Sequence, residues 1–186
     1  MRYAGKDRAM DIAWSNIFSR KSCSRNSAMD VLKKVPIFRD LSDRELRKVE
    51  RLIYQRSFAD GETIFRAGEP GLGMYIVESG RVQIHVFAHD EPLAVLTDGE
   101  FFGELSLLDE SPRSASAAAQ GETTLLCFFH PELMDLLNVD PRLGVKILIG
   151  LSRTIGERLK KATECIEVMK SGNPTSREDA CADKVR

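Results

Sequence analysis

The sequence predicts an α+β chain: a run of short antiparallel strands, arranged as a sandwich or a jelly-roll barrel, bracketed by helices. Three observations carry this reading. From Gln55 to Phe129 the apolar residues leave helical spacing and fall into short alternating or clustered runs. Corners rich in glycine punctuate those runs at Asp60-Gly61, Gly68-Glu69-Pro70, Ser79-Gly80 and Asp98-Gly99. On both sides of this stretch apolar residues return to steps of three and four. At 186 residues the chain is long enough for one domain with a real core and not comfortably long enough for two.

The chain opens on a basic arm, residues 1–29, with six basic side chains against Asp7 and Asp11, a local charge of about +4. Its basic residues are interrupted only by short apolar patches, so it does not read as a signal peptide. Trp14, Ile17 and Phe18 can share one face of a short helix. Asp30 to Val35 reads as a helical turn or two stopped by Pro36. Ser42-Asp43-Arg44-Glu45 is a capping box, and Leu46, Val49 and Ile53 give the helix that follows, over 43 to about 54, one buried stripe.

Strands are expected at Thr63–Phe65, Met74–Val77, Val82–Phe87, Leu93–Leu96 and Leu125–Phe129. Val82, Ile84 and Val86 alternate with Arg81, Gln83 and His85, the pattern of a half-buried strand. Pro131 and Pro141 each occupy a first helical position, the second behind Asp140 as cap. One long helix then runs from Leu143 to Met169, with a soft break expected near Gly144 or Gly150. Leu148, Leu151, Ile155, Leu159, Ala162, Ile166 and Met169 form a seam that starts on the strands and ends on another copy of the chain. The organisation is therefore an arm (1–29), a domain (30–165), and the end of the helix with a solvated tail (166–186).

Composition excludes several functions. Lys and Arg (27) nearly balance Asp and Glu (28), so the basic excess of a nucleic-acid wrapper is missing. No uncharged apolar run reaches the roughly 18 residues of a membrane span. Cys23, Cys127, Cys165 and Cys181 fit neither a metal pair nor a disulfide framework, as expected for reduced thiols of a cytoplasmic protein. His85, His89 and His130 are too few and too scattered for a metal-dependent enzyme on a jelly roll, and no nucleophile–base set is legible. No catalytic or metal-binding residue and no cofactor is expected.

The segment from Phe101 to Ala115 stands apart. It is a glycine-led turn between strands, with a carboxylate at its start and an arginine nine residues later. Gly103 lets the backbone approach a ligand, and the N–H groups near Leu105 and Ser106 face an anion. Arg113 offers a planar fork to two phosphate oxygens, while ionised Glu104 accepts from a hydroxyl beside that phosphate. A sugar hydroxyl next to a singly charged phosphodiester satisfies both. The competing reading makes Glu104 and Arg113 an ion pair that merely holds a loop.

Phe102-Gly103-Glu104-Leu105 followed by Pro112-Arg113-Ser114-Ala115 resembles the phosphate-binding cassette of the cyclic nucleotide-binding domain family. The resemblance covers roughly residues 30 to 165, including Gly61, Gly68, Gly80 and the Gly71-Leu72-Gly73-Met74-Tyr75 entry to a strand. It implies an antiparallel jelly-roll barrel, a double-stranded β-helix, with flanking N-terminal helices and a long C-terminal helix. It also implies that Glu104 accepts from the ribose 2′-hydroxyl and Arg113 pairs with the cyclic phosphate. The backbone of Gly103, Leu105 and Ser106 would line that phosphate, and Ser114 would add a hydroxyl near phosphate or base. The base would be capped from the last helix, where Arg153, Thr154, Glu157, Arg158 and Lys161 are candidates; intrahelical pairs such as Glu157–Lys161 are the competing reading. Ser114 does not separate cyclic AMP (cAMP) from cyclic GMP (cGMP), and cAMP is favoured. The expected protein is a regulatory sensor acting through a homodimer of the last helix or through a partner protein, with a ligand-free scaffold as the alternative. About 17 residues follow Met169, too few for a helix-turn-helix, so direct DNA binding is not expected.

Overall fold

A computed structural model describes residues 25–86, 91–109 and 111–170. Trp14, Ile17, Phe18, Cys23, His89, Cys181 and most of the arm and tail lie outside them. The element order is helix α1 (Arg25–Lys34), a 3-10 turn (Pro36–Phe38), helix α2 (Asp43–Glu50), and strands β1 (Tyr54–Phe58), β2 (Thr63–Phe65), β3 (Gly73–His85), β4 (Ala94–Leu96) and β5 (Phe101–Phe102). A second 3-10 turn (Glu104–Leu107) leads to strand β6 (Ser116–Phe129), helix α3 (His130–Val139) and helix α4 (Pro141–Lys170).

The strands are built on one long antiparallel ribbon, β3 with β6, paired from Gly73↔Phe129 to His85↔Ser116. Near one end the ribbon is flanked by β1, which pairs with Tyr54↔Cys127 register, and by β5, which pairs Tyr75↔Phe102. Near the other end it is flanked by β2, through Thr63↔Ala118, and by β4, through Val82↔Leu96. The result is two four-stranded layers, β1-β6-β3-β5 and β2-β6-β3-β4, that share the ribbon. The register shifts between Val77 and Arg81, and Gly80 sits in that bulge at φ 101°. A Cβ there would stand 2.6 Å from the Glu122 carbonyl oxygen, so only glycine lets the ribbon turn from one layer into the next. Sequence reading expected a turn between two strands at Ser79-Gly80; it is a bulge inside one strand. It also missed β1 and the first half of β6, where Ala115 to Ala119, Gly121 and Glu122 carry little strand propensity and pairing with β3 overrides it.

Two apolar clusters follow from the alternation of side chains. Between the layers lie Val77, Phe102, Leu125, Cys127 and Phe58 from one layer and Val82, Leu96, Ala117 and Ala119 from the other. Outside the first layer, Met74, Ile76, Phe101, Leu126 and Phe128 meet the helices through Leu32, Phe38, Leu46, Leu133, Leu143, Ile147 and Leu151. Phe38 meets Phe128 edge-on at 6.4 Å. The sheet near Tyr75 is thus buried on both faces, which is why Leu125–Phe129 reads as an unbroken apolar run.

The helices obey their local signals. The Ser42 hydroxyl accepts from Glu45 N–H while the Glu45 carboxylate accepts from Ser42 N–H, closing the capping box. Helix α2 stops at Glu50 rather than near 54, because residues from Tyr54 pair with β6. Asp140 Oδ1 accepts from Leu143 N–H at the start of α4. Helix α4 is continuous across Gly144 and Gly150. These glycines serve contact instead of a break: a Cβ would stand 2.6 Å from Leu137 Cδ2 at Gly144 and 2.1 Å from Ile37 O at Gly150. No helix among the described residues is long and apolar enough to cross a membrane.

Candidate functional site

Strand β5 delivers Phe101 and Phe102 to the edge of β3, and the chain then turns through Gly103 at φ 72° into the Glu104–Leu107 turn. A Cβ on Gly103 would stand 2.5 Å from Arg113 Nη1, so glycine is needed for conformation and for the approach of the guanidinium. Asp109 closes the loop by accepting from both Ser111 N–H (3.2 Å) and the Ser111 hydroxyl (2.6 Å), and these bonds lower its pKa.

Arg113 is held at both levels. Its backbone N–H donates to Glu69 O and its carbonyl accepts from Gly68 N–H, both at 2.8 Å, beside a bridge between Pro70 and Pro112. Its side chain is 6% exposed. Nη1 donates to Ser106 Oγ (2.9 Å) and Gly103 O (3.2 Å), and Nη2 donates to Gly73 O (2.8 Å). The guanidinium lies 4.2 Å over the Phe65 ring and 5.5 Å from the Tyr75 ring, and Tyr75 stacks on Phe102. No carboxylate among the described residues pairs with it, and Nε is buried without an acceptor. Burial pulls the Arg113 pKa below its ordinary value, opposed first by the neighbouring Tyr75 phenol and then by Glu104 and Glu69. These bonds use three of the guanidinium N–H groups, the Tyr75 phenol is a further hydrogen-bonding neighbour, and Nε–H is left without an acceptor.

Glu104 is also buried, 7% exposed, but its partner is Arg158 of α4, with Nη1 2.7 Å from Oε2. The same guanidinium donates through Nη2 to Phe101 O at 2.9 Å and lies 4.5 Å over the Phe101 ring. The alternative of a Glu104–Arg113 loop-holding pair is therefore not what the molecule builds. Each residue sits buried beside the other, with a different set of partners.

Of the expected site residues, Gly103, Glu104, Ser106 and Arg113 converge. Leu105 is half exposed at the rim, and Ser114 is exposed beside Arg113. Among the expected cap residues, Arg158 reaches the cassette. Arg153 pairs with Asp40, the Thr154 hydroxyl donates to Gly150 O within its own helix, and Glu157 is exposed. Sequence reasoning missed the aromatic platform of Phe65, Tyr75 and Phe102 and the use of the Ser106 hydroxyl as an acceptor for Arg113. The register Tyr75↔Phe102 is what joins the first two rings to the third, and no local spacing announces it. Tyr75 also lines a small open cleft with Tyr54, Arg56, Leu72, Cys127 and Phe129. Arg113 does not line that cleft.

The folded arrangement is a pair of strand layers that carries a glycine-led turn and a buried arginine. Residues 55–140 match the family model of the cyclic nucleotide-binding domain. A cyclic AMP receptor protein from Thermus thermophilus is 35% identical over 129 residues, covering 68% of this chain and 60% of that one. A cAMP-dependent protein kinase regulatory subunit from Colletotrichum orbiculare is 33% identical over 58% of this chain and 27% of its own length. The solved N-terminal domain of a transcriptional regulator from Streptomyces coelicolor is 35% identical at TM-score 0.63, covering 73% of this chain and 93% of that domain. The chain belongs to the cyclic nucleotide-binding domain family, whose jelly-roll fold it shares. It spans 60% of the length of the first of these curated relatives and 27% of the second.

Proposed function

We propose that this chain is the ligand-sensing part of a regulatory protein, that it binds a cyclic nucleotide, cAMP in preference to cGMP, and that it catalyses no reaction. The observation that carries the reading is the state of Arg113: a buried cation that no carboxylate among the described residues pairs with, its Nε–H left without an acceptor. A buried uncompensated charge is costly, and a molecule keeps one where a ligand supplies the counter-charge. A cyclic phosphate carries one negative charge and two free oxygens, of which the buried Nε–H would take one. Glu104, beyond pairing distance of Arg113, would then accept from the ribose 2′-hydroxyl, with the Gly103–Ser106 backbone and Ser114 along the phosphate. The preference for cAMP rests on the names of the relatives, one a cyclic AMP receptor and one a regulatory subunit of a cAMP-dependent kinase.

Output would pass through α4. Val145, Ile149, Ser152, Gly156, Leu159, Thr163 and Ile166 alternate in steps of four and three along α4, and every one is exposed. This is a coiled-coil seam with a glycine where two helices could approach. The start of the seam expected from sequence, Leu148, Leu151 and Ile155, packs on the chain's own core, while its Leu159 and Ile166 fall in this exposed line. The exposed seam supports a homodimer, and a downstream protein partner remains the second route for the signal.

Calorimetric titration of the purified chain with cAMP and with cGMP tests this reading. Saturable binding of cAMP, abolished by Arg113→Ala with the circular dichroism unchanged, is the expected result. Truncating a buried charge partner of this kind costs about 2–5 kcal/mol of binding. Unchanged affinity in Arg113→Ala, or no binding of either nucleotide by the wild type, would leave a ligand-free scaffold.

A further inference from the structure

We infer that the exposed face of helix α2 docks an acidic segment of a partner protein through Arg44, Arg47 and Arg51. On an ordinary α-helix these three side chains fall within about 60° of one another and span about 10 Å of the axis. Arg51 is the C-cap, but its backbone is still in the right-handed helical region, so it continues the line. The buried residues of the helix, Leu46 and Val49, lie across from it. All three arginines are exposed, and among the described residues no carboxylate or other acceptor engages their side chains. Their neighbours are taken: Lys33 by Asp43, Lys48 by Asp140, and Glu45 by Lys146 of α4.

The stripe works against the helix that carries it. Arg44 sits in the first turn, where the helix dipole disfavours a cation. Arg47 stands three residues from Arg44 and four from Arg51, spacings at which like charges repel. The capping box of Ser42 and Glu45 offsets this. Arginine also suits an interface, since its planar fork holds a carboxylate by two bonds and sheds water more readily than an ammonium. Charge elsewhere on the chain decides what the stripe can meet. Residues 25–53 hold eight basic residues against five acidic, whereas the strand region, 54–129, holds four against twelve. An extended polyanion, a duplex or a lipid surface, would bring its charge against the acidic region as well as the stripe. An acidic patch the size of one or two helical turns would meet the stripe alone. Helix α2 is tied to α4 by the Glu45–Lys146 and Lys48–Asp140 pairs, so a partner seated there bears on the helix that grips Glu104. The docking itself does not depend on the reading of Arg113.

The test is fluorescence anisotropy of a labelled poly-glutamate peptide titrated with the full chain at low salt, without nucleotide. The wild type should bind it saturably. Arg44→Ser/Arg47→Ser/Arg51→Ser should bind about tenfold more weakly, the sum of three exposed pairs, and Arg47→Ser alone about twofold to threefold. The melting temperature of the triple variant should equal or exceed that of the wild type, because the repulsion along α2 is gone. The control is Arg81→Ser/Arg142→Ser/Lys160→Ser, which removes the same charge from exposed side chains elsewhere and should keep the wild-type affinity within about twofold. Equal loss in the two triple variants would assign binding to net charge and overturn the inference, as would a wild type that leaves the peptide free. Duplex DNA or phosphatidylserine vesicles bound more tightly than the peptide, and released by the stripe variant alone, would give the stripe to a phosphate surface and overturn it too. None of these readouts uses cAMP, so each outcome leaves the sensor reading to its own titration.

Discussion

Gly150 of α4 lies against the Ile37 carbonyl so closely that a Cβ would stand 2.1 Å from its oxygen and 2.9 Å from its carbon. The neighbour is backbone of a 3-10 turn whose Ile37 and Phe38 side chains are in the core, so it has little room to retreat. Gly150→Ala therefore sets two effects against each other. Alanine gains about 1 kcal/mol of helix propensity, whereas overpacking a fixed contact costs about 1–3 kcal/mol. The overlap here is severe, so the penalty wins. Chemical denaturation should place the variant below the wild type by about 1–2 kcal/mol, and a variant more stable than the wild type would show that the turn yields.

Glu45 of α2 receives Lys146 of α4 at 2.8 Å and closes the capping box with Ser42. The Lys146 hydrogen bond, then the Ser42 backbone bond, hold its pKa down at about 2. A carboxylate whose folded pKa is depressed stabilises the fold above its unfolded pKa, and loses that contribution as pH falls toward the folded value. Glu45→Gln should therefore be less stable at pH 7, by about 1 kcal/mol once solvent screening is allowed for. The difference from wild type should shrink between about pH 4.5 and pH 2. Thermal melts across that range check it, and a gap that stays constant would assign the effect to packing.

The exposed seam of α4 makes a prediction of its own. Leu159 is 67% exposed and stands in the line of Ile149, Gly156 and Ile166. Leu159→Glu places a charge in that line without touching the core. If the seam joins two copies, light scattering at micromolar concentration should give a dimer for the wild type and a monomer for the variant, with equal melting temperatures at high dilution. A wild type that is monomeric would assign the seam to a different protein.

Cys127 faces the space between the layers and is 2% exposed. Burial drives its thiol pKa up to about 12, so almost no thiolate exists near neutral pH. Peptide mapping after alkylation at pH 8 should find Cys127 unmodified in the folded protein and fully modified in urea. Labelling of the native state at the rate of a free thiol would mean that the layers open.

The cassette was legible because its chemistry is local. Gly103, Glu104 and Arg113 fall within eleven residues, and each residue type announces what it can do. The helix starts were legible for the same reason, since Ser42 with Glu45 and Asp140 with Pro141 act within one turn. What sequence reading lost depends on distant partners. Residues 115–124 look like a loop until β3 lies beside them. The pairing of Glu104 with Arg158, fifty-four residues on, turns on the azimuth of α4, and that is set by Gly150 against Ile37. The same azimuth decides which stripe of α4 is core and which is exposed, a choice that step sizes of three and four leave open.

The contacts of α4 divide it mechanically. Up to Arg158 the helix is pinned to its surroundings, by Lys146, by the core residues Leu143, Ile147 and Leu151, and by Arg153 and Arg158. Beyond Arg158 the helix runs ten residues to Val168, about 15 Å at its ordinary rise per residue. A rod clamped at one end magnifies rotation at the other, and a tilt of about 10° there would carry the far tip about 3 Å. A displacement of a few tenths of an ångström at the cassette could thus become, at the distal end, a change of the size that separates packed helices from parted ones.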